Sequence, residues 1–300
     1  MSLIDFLLNL AGLLLWLNWR TLPFDPLSKA TPATLIGTLR RAGPGRYERW
    51  HFATVLGALL LLRAGFYRLI GPAVDWTGTL NLVATQLVFR SDSFSLMLLY
   101  SMLSFGRLLG IFILWLLLLS VLAPGSSGHP HLLRMERAHL GFIVGWPVWG
   151  KLLLPFLASW VLWWLGSWPL AWSGLMPRPV SETSRLAQSA LVGLSTYFAW
   201  QYLIIALLAV FGLHSHLYFG RHGFWNFVDG TARRLLVPLR SLRVGKVDFA
   251  PLAGIALVCL FAQFAEHGVR SPTQFDLNGK PEVPAWEIPG LRGLYERASR

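Results

Sequence analysis

Charge and cysteine are what this 300-residue chain has least of. Charged residues make up 13% of it, about half the ~25% usual in a soluble globular chain, while 54% of its residues are hydrophobic. One cysteine, Cys259, leaves no intrachain disulfide and so excludes a disulfide scaffold. Low polarity excludes a disordered tail protein, and apolar runs such as Leu108–Leu122 exclude a water-soluble enzyme. Catalytic signatures are missing as well: the chain has no Gly-x-Ser-x-Gly, Walker A, His-Glu-x-x-His or dinucleotide-binding pattern. Ser95, Ser101 and Ser104 share an apolar run without a His or Lys base, and serines of that kind commonly pack helices in membranes. No carboxylate stands at the centre of an apolar run, which argues against a proton-coupled pump. Enzymatic activity is therefore not expected.

What is present is a set of long apolar stretches. A spanning helix needs about 20 mostly apolar residues, since each adds roughly 1.5 Å across about 30 Å of hydrocarbon. Six stretches qualify, near residues 2–19, 51–70, 95–122, 147–168, 187–213 and 249–266. Their length and continuous apolarity predict helices rather than barrel strands, so the expected fold is all-α and polytopic. The first stretch lacks a basic leader and carries Asp5, which is unlike a cleaved signal peptide.

The surplus of 26 Lys and Arg over 14 Asp and Glu needs no nucleic-acid partner, because cytoplasmic loops of membrane proteins collect basic residues. Linker one holds Arg20, Lys29, Arg40, Arg41, Arg46 and Arg49; linker three holds Arg134, Arg137 and Lys151; linker five holds Arg221, Arg233, Arg234, Arg240, Arg243 and Lys246. The intervening loops hold only Arg68, Arg90, Arg178 and Arg185. This asymmetry predicts odd linkers in the cytoplasm and both termini outside. It also outlines a threefold repeat of helix, basic linker and helix: residues 1–70, 95–169 and 187–266, followed by a tail, 267–300.

The third linker is the most informative. At 100° per residue Phe224, Phe227, Val228, Leu235, Leu239 and Leu242 share one face, Arg233, Arg240 and Arg243 point away, and Arg234 flanks them. Pro238 should break this amphipathic helix, leaving its first part flat at the headgroups. Asp248 is expected in the first turn of the sixth span, capping free N–H groups. The segment Pro238-Leu239-Arg240-Ser241-Leu242, Gly245, then Val247-Asp248-Phe249-Ala250-Pro251-Leu252 ahead of an apolar helix resembles the signature of the YggT family, called YlmG in Gram-positive bacteria. The likeness is close over residues 197–266, weaker in the first unit and one of outline in the second; where the family has a further proline, this chain reads Leu242-Arg243-Val244. The resemblance implies a bacterial inner-membrane protein acting in membrane organisation, division or complex assembly, with no catalytic residues.

Of the polar residues left over, His129-Pro130-His131 and His214-Ser215-His216 lack the further ligands that a tetrahedral metal site or a membrane haem requires. No cofactor or metal is expected. Arg63 and Arg107 fall inside spans, where a central guanidinium costs roughly 2.5–3.5 kcal/mol. Arg63, in the outer half of its helix and without a nearby acid, is expected to snorkel outward with Arg68. Arg107, near mid-span, should meet protein, water, a lipid phosphate or a partner's carboxylate. Trp16, Trp19, Trp50, Trp168 and Trp172 suit interfacial belts, while Trp160, Trp163 and Trp164 crowd the fourth span and face lipid, core or another subunit. The tail, proline-rich with Trp286 as an exposed anchor and a short helix from Leu291, suits docking. Together these features point to a scaffold, assembly factor or accessory subunit that binds anionic headgroups and protein partners or further copies of itself, through Arg63, Arg107, Arg233, Arg234, Arg240, Arg243, Lys246 and Trp286. The competing class is an anion transporter or channel built on Arg63 and Arg107.

Overall fold

The computed structural model describes residues 2–21, 49–122, 130–177, 179–216, 223–244, 247–270 and 287–299. Six helical stretches are long and apolar enough to cross a membrane: Leu3–Arg20, Trp50–Ile70, Phe94–Leu122, Val148–Trp172, Glu182–Ser215 and Ala250–His267. Apart from three two-stranded ribbons the described chain is helical, so this is an all-α, multi-pass membrane protein. All but the fifth lie close to where the hydropathy placed them, because continuous apolarity over twenty residues leaves the backbone no other way to satisfy its polar groups in lipid. Gly245, Lys246 and Trp286 lie outside the described residues, as do His129 and the side chains of His131, Arg240, Arg243 and Asp248.

The chain forms two compact units, Met1–Gly78 with Phe89–Gly110, and Thr79–Val88 with Ile111–Arg300. In the first, α1 (Ser2–Thr21) packs along α2 (Arg49–Ile70), and the leading part of α3 (Phe94–Leu122) joins them. Gly12 permits the approach of α1 to α3: a Cβ there would stand 2.9 Å from Cε2 of Phe105. Between α2 and α3 in sequence runs a short ribbon, β1 (Gly78–Asn81) and β2 (Gln86–Phe89), which apart from its end residues Gly78 and Phe89 belongs to the second unit; its alternating Leu80, Leu87 and Phe89 are buried. The ribbon has no counterpart in the hydropathy pattern.

In the second unit, the far end of α3 carries Leu116 and Leu117, which bury against Leu140 of α4 (Pro130–Leu140). The long α5 (Val148–Trp172) packs along α6 (Glu182–Ser195). The fifth span differs from expectation: it starts at Glu182, capped by the Ser181 hydroxyl accepting from the Ser184 N–H at 3.1 Å, and divides into α6 and α7 (Phe198–His216). At the division the hydroxyls of Ser195 and Thr196 both donate to the carbonyl of Val192, at 2.7 and 3.2 Å. Such back-bonding bends helices, and the amides of Thr196 and Tyr197 reach only three residues back.

The amphipathic linker helix, α8 (Gly223–Leu235), stops where Pro238 required, and residues Val237–Leu242 continue as a 3-10 turn. Proline lacks the N–H that the next helical turn would use. The apolar face of α8 is not left for the headgroups: Val228, Ala232 and Leu236 bury with Leu208 and Phe211 of α7 and Ala250 of α9 (Ala250–His267). Asp248 is not in the first turn of α9 either. It lies in β4 (Val247–Asp248), across from Arg243 of β3 (Arg243–Val244), and Phe249 occupies the cap position without a side-chain bond. Pro251 sits buried in the first turn of α9, where its missing N–H costs nothing. A third ribbon, β5 (Gly268–Arg270) with β6 (Glu287–Pro289), leads to α10 (Leu291–Ser299), the helix expected from Leu291, which packs on α6 and α9.

A candidate intramembrane charge lock

Asp5, Asn9 and Gly12 fall at i, i+4 and i+7 of α1, so they share one face. Arg63 and Tyr67 share a face of α2 at i and i+4, and Tyr100, Ser101 and Ser104 share one of α3. The first unit brings these three polar stripes together. Arg63 donates through Nη1 to Asn9 Oδ1 at 2.6 Å and through Nη2 to Ser104 Oγ at 3.0 Å, and Nη2 also makes an ion pair with Asp5. The Asp5 carboxylate accepts further from Tyr67 OH at 3.0 Å and Ser104 Oγ at 3.2 Å, while Asn9 Nδ2 donates to Ser104 Oγ at 2.9 Å. Each helix is thus tied to both others through the same few atoms.

An aromatic cap closes the site. The guanidinium carbon lies 5.5 Å from the ring centre of Tyr67 and 5.6 Å from that of Tyr100, within cation–π range. Trp76 packs on both rings, at 4.7 and 5.7 Å, and Phe89 meets Tyr100 at 5.4 Å. The Arg63 side chain is 1% exposed and that of Asp5 19%. Snorkelling is therefore corrected: Arg63 points inward, because its acid comes from a helix 58 residues away in sequence. Only Nε of the guanidinium finds no acceptor.

Arg107 lies on the exposed side of α3 and makes no hydrogen bond or ion pair with any described residue. Arg233 and Arg234 are exposed at the end of α8, and Arg234 Nη1 donates to the carbonyl of Leu122 at 2.6 Å. Pro238 is exposed and Pro251 buried. The structure does not gather these residues with Arg63 into one site. Nor does it leave His214 free as a ligand: its Nδ1 lies 3.1 Å from Asp229 Oδ1 and its ring stacks on Trp225 at 4.7 Å. Among the described residues no cluster of three or more His, Cys, Asp or Glu could hold a metal ion.

Two basic residues that the hydropathy pattern assigns to loops, Lys151 and Arg185, are buried in helices. Arg185 belongs to α6 and not to a solvated loop; it donates through Nε to Ser167 Oγ at 2.9 Å and through Nη2 to the Trp164 carbonyl. Its guanidinium lies over Trp164 and Trp168 at 4.7 and 5.4 Å. Lys151 is buried near Glu136 of α4, whose carboxyl is pushed up from its ordinary value by burial, an effect that Lys151 partly offsets. No family model, curated protein or solved structure matches the chain.

Proposed function

We propose that this protein is a non-enzymatic membrane scaffold, an assembly factor or accessory subunit of a larger complex in a bacterial inner membrane, with both termini outside. The observation that carries the reading is the closure of the Asp5–Arg63 lock. A guanidinium 1% exposed, with its carboxylate already supplied, fastens three helices together and offers no stage on which a solute could be bound and released. That closure weighs against the anion-transporter alternative, which needs Arg63 accessible along a wet path. Exposed Arg233 and Arg234 on the outer side of α8 are suited to lipid phosphates, each worth about 1 kcal/mol near an anionic surface. The linker then works as a basic platform docked on its own hairpin, with Phe224 and Val237 as its exposed apolar contacts.

Gentle purification from native membranes tests this reading. A stable stoichiometric set of co-purifying subunits is expected, with no anion flux when the protein alone is placed in liposomes. A lone protein that conducts anions, losing the flux on Arg63→Leu or Arg107→Leu, would replace the scaffold with a transporter.

A further inference from the structure

Arg107 is the charged group inside a span that the fold leaves unexplained. Its depth follows from α1. That helix has 20 residues, about 30 Å and so one hydrocarbon thickness, and Gly12 stands near its middle against Phe105 of α3. Arg107 lies two residues beyond Phe105, about 3 Å further along the axis. The guanidinium therefore begins near the bilayer centre, far from either headgroup layer, on the exposed side of α3 and without a partner among the described residues. A charge there must be met by something in the membrane.

We propose that the α3 face around Arg107 docks a transmembrane helix of a different protein that carries a carboxylate near its own midpoint. This rests on the scaffold reading and names the class of partner. Complementarity of charge selects a carboxylate. The six spans carry only Asp5, Glu182 and Glu266; the first is held by Arg63, and the other two stand at span ends. A second copy of this chain would therefore bring no free mid-span acid and would add a like charge. The shape agrees with a close helix contact: Met102, Gly106 and Gly110 follow one another at four-residue spacing beside Arg107, and a Cβ at either glycine would meet nothing within 4 Å. Small residues at that spacing let a partner backbone approach closely, which brings its carboxylate within reach of the flexible arginine stem.

The test uses full-length protein, donor-labelled at Cys259, in phosphatidylcholine vesicles with acceptor-labelled leucine-rich spanning peptides bearing one central Glu, Gln or Leu. Energy transfer should report association with the Glu peptide about tenfold tighter than with the other two. Arg107→Leu should bring the Glu peptide down to the level of the Leu peptide, and Arg107→Lys should keep most of the preference. Gly106→Ile, which keeps the charge and fills open space, should weaken binding several-fold and serves if Arg107→Leu fails to fold. Equal binding of the three peptides, or binding untouched by both Arg107→Leu and Gly106→Ile, overturns the proposal. So does loss of the Glu preference when phosphatidylglycerol is added, which would assign Arg107 to lipid phosphate. In native membranes, subunits that stay with Arg107→Leu would remove this docking site and leave the scaffold standing, whereas wild type without any stoichiometric subunit would remove the scaffold itself.

Discussion

Removing one half of the Asp5–Arg63 pair should cost more than removing both. Asp5→Leu leaves a guanidinium 1% exposed with no counter-charge, keeping only Asn9 and Ser104 as acceptors. Stranding one member of a buried pair costs about 3–5 kcal/mol in soluble proteins. Arg63→Leu strands a less buried carboxylate, 19% exposed, still served by Tyr67 and Ser104, so its cost should fall below that of Asp5→Leu. In the double variant Asp5→Leu/Arg63→Leu neither charge must be held in hydrocarbon, and the loss reduces to interhelical hydrogen bonds of about 0.6 kcal/mol each. With the bonds made by Arg63 and Asp5 gone, the double variant should be about 2–3 kcal/mol below wild type, and the coupling energy at least about 2 kcal/mol. Reversible unfolding in mixed micelles, followed by tryptophan fluorescence for all four proteins, measures the cycle. Single changes that add within about 0.5 kcal/mol, the scatter for independent sites, would refute the lock and with it the main support for the scaffold reading.

Three further outcomes follow from other parts of the structure. Gly12→Leu should lower stability by about 1–3 kcal/mol because its Cβ would already stand 2.9 Å from the Phe105 ring, while Gly57→Ala, opening on empty space, should change the same melting curve by less than about 0.5 kcal/mol. Arg185→Lys should destabilise although it keeps the charge, since an ammonium cannot both fork to Ser167 and the Trp164 carbonyl and lie flat over Trp164 and Trp168; a melting temperature equal to wild type would contradict that account. Glu136, raised chiefly by burial and lowered in part by Lys151, binds its proton more tightly folded than unfolded. Its contribution is therefore intact below the ordinary glutamate value and falls as pH rises from there through the raised one. Glu136→Gln should be neutral near pH 4 and stabilising at pH 7, and stability curves that stay parallel from pH 4 to 7 would show that Glu136 is not the group responsible.

Much of the fold was legible because lipid makes a one-dimensional demand. Twenty apolar residues in a row spell a span whatever their neighbours, and Pro238 ends a helix through its own missing N–H. Details that depend on one bond were less legible. Asp248 has the chemistry of a helix cap, yet pairing of Val244 with Val247 draws it into a ribbon and hands the position to Phe249. Arg185, at the start of the fifth span, is a similar case. Arg185 reads as a loop charge until α5 supplies Ser167 and two indole rings beneath it.

The sequence by itself determined that this chain crosses a membrane six times in helices, that its linkers are basic and that two arginines lie within spans. Only the tertiary structure decided what those arginines do. Span formation is local, set by composition within each segment, whereas the fate of an ion is set by what stands within about 4 Å of it. Arg63 finds Asp5 from a helix 58 residues away and becomes part of the core; Arg107, of identical chemistry, turns to the open side of its helix, the face we propose for docking.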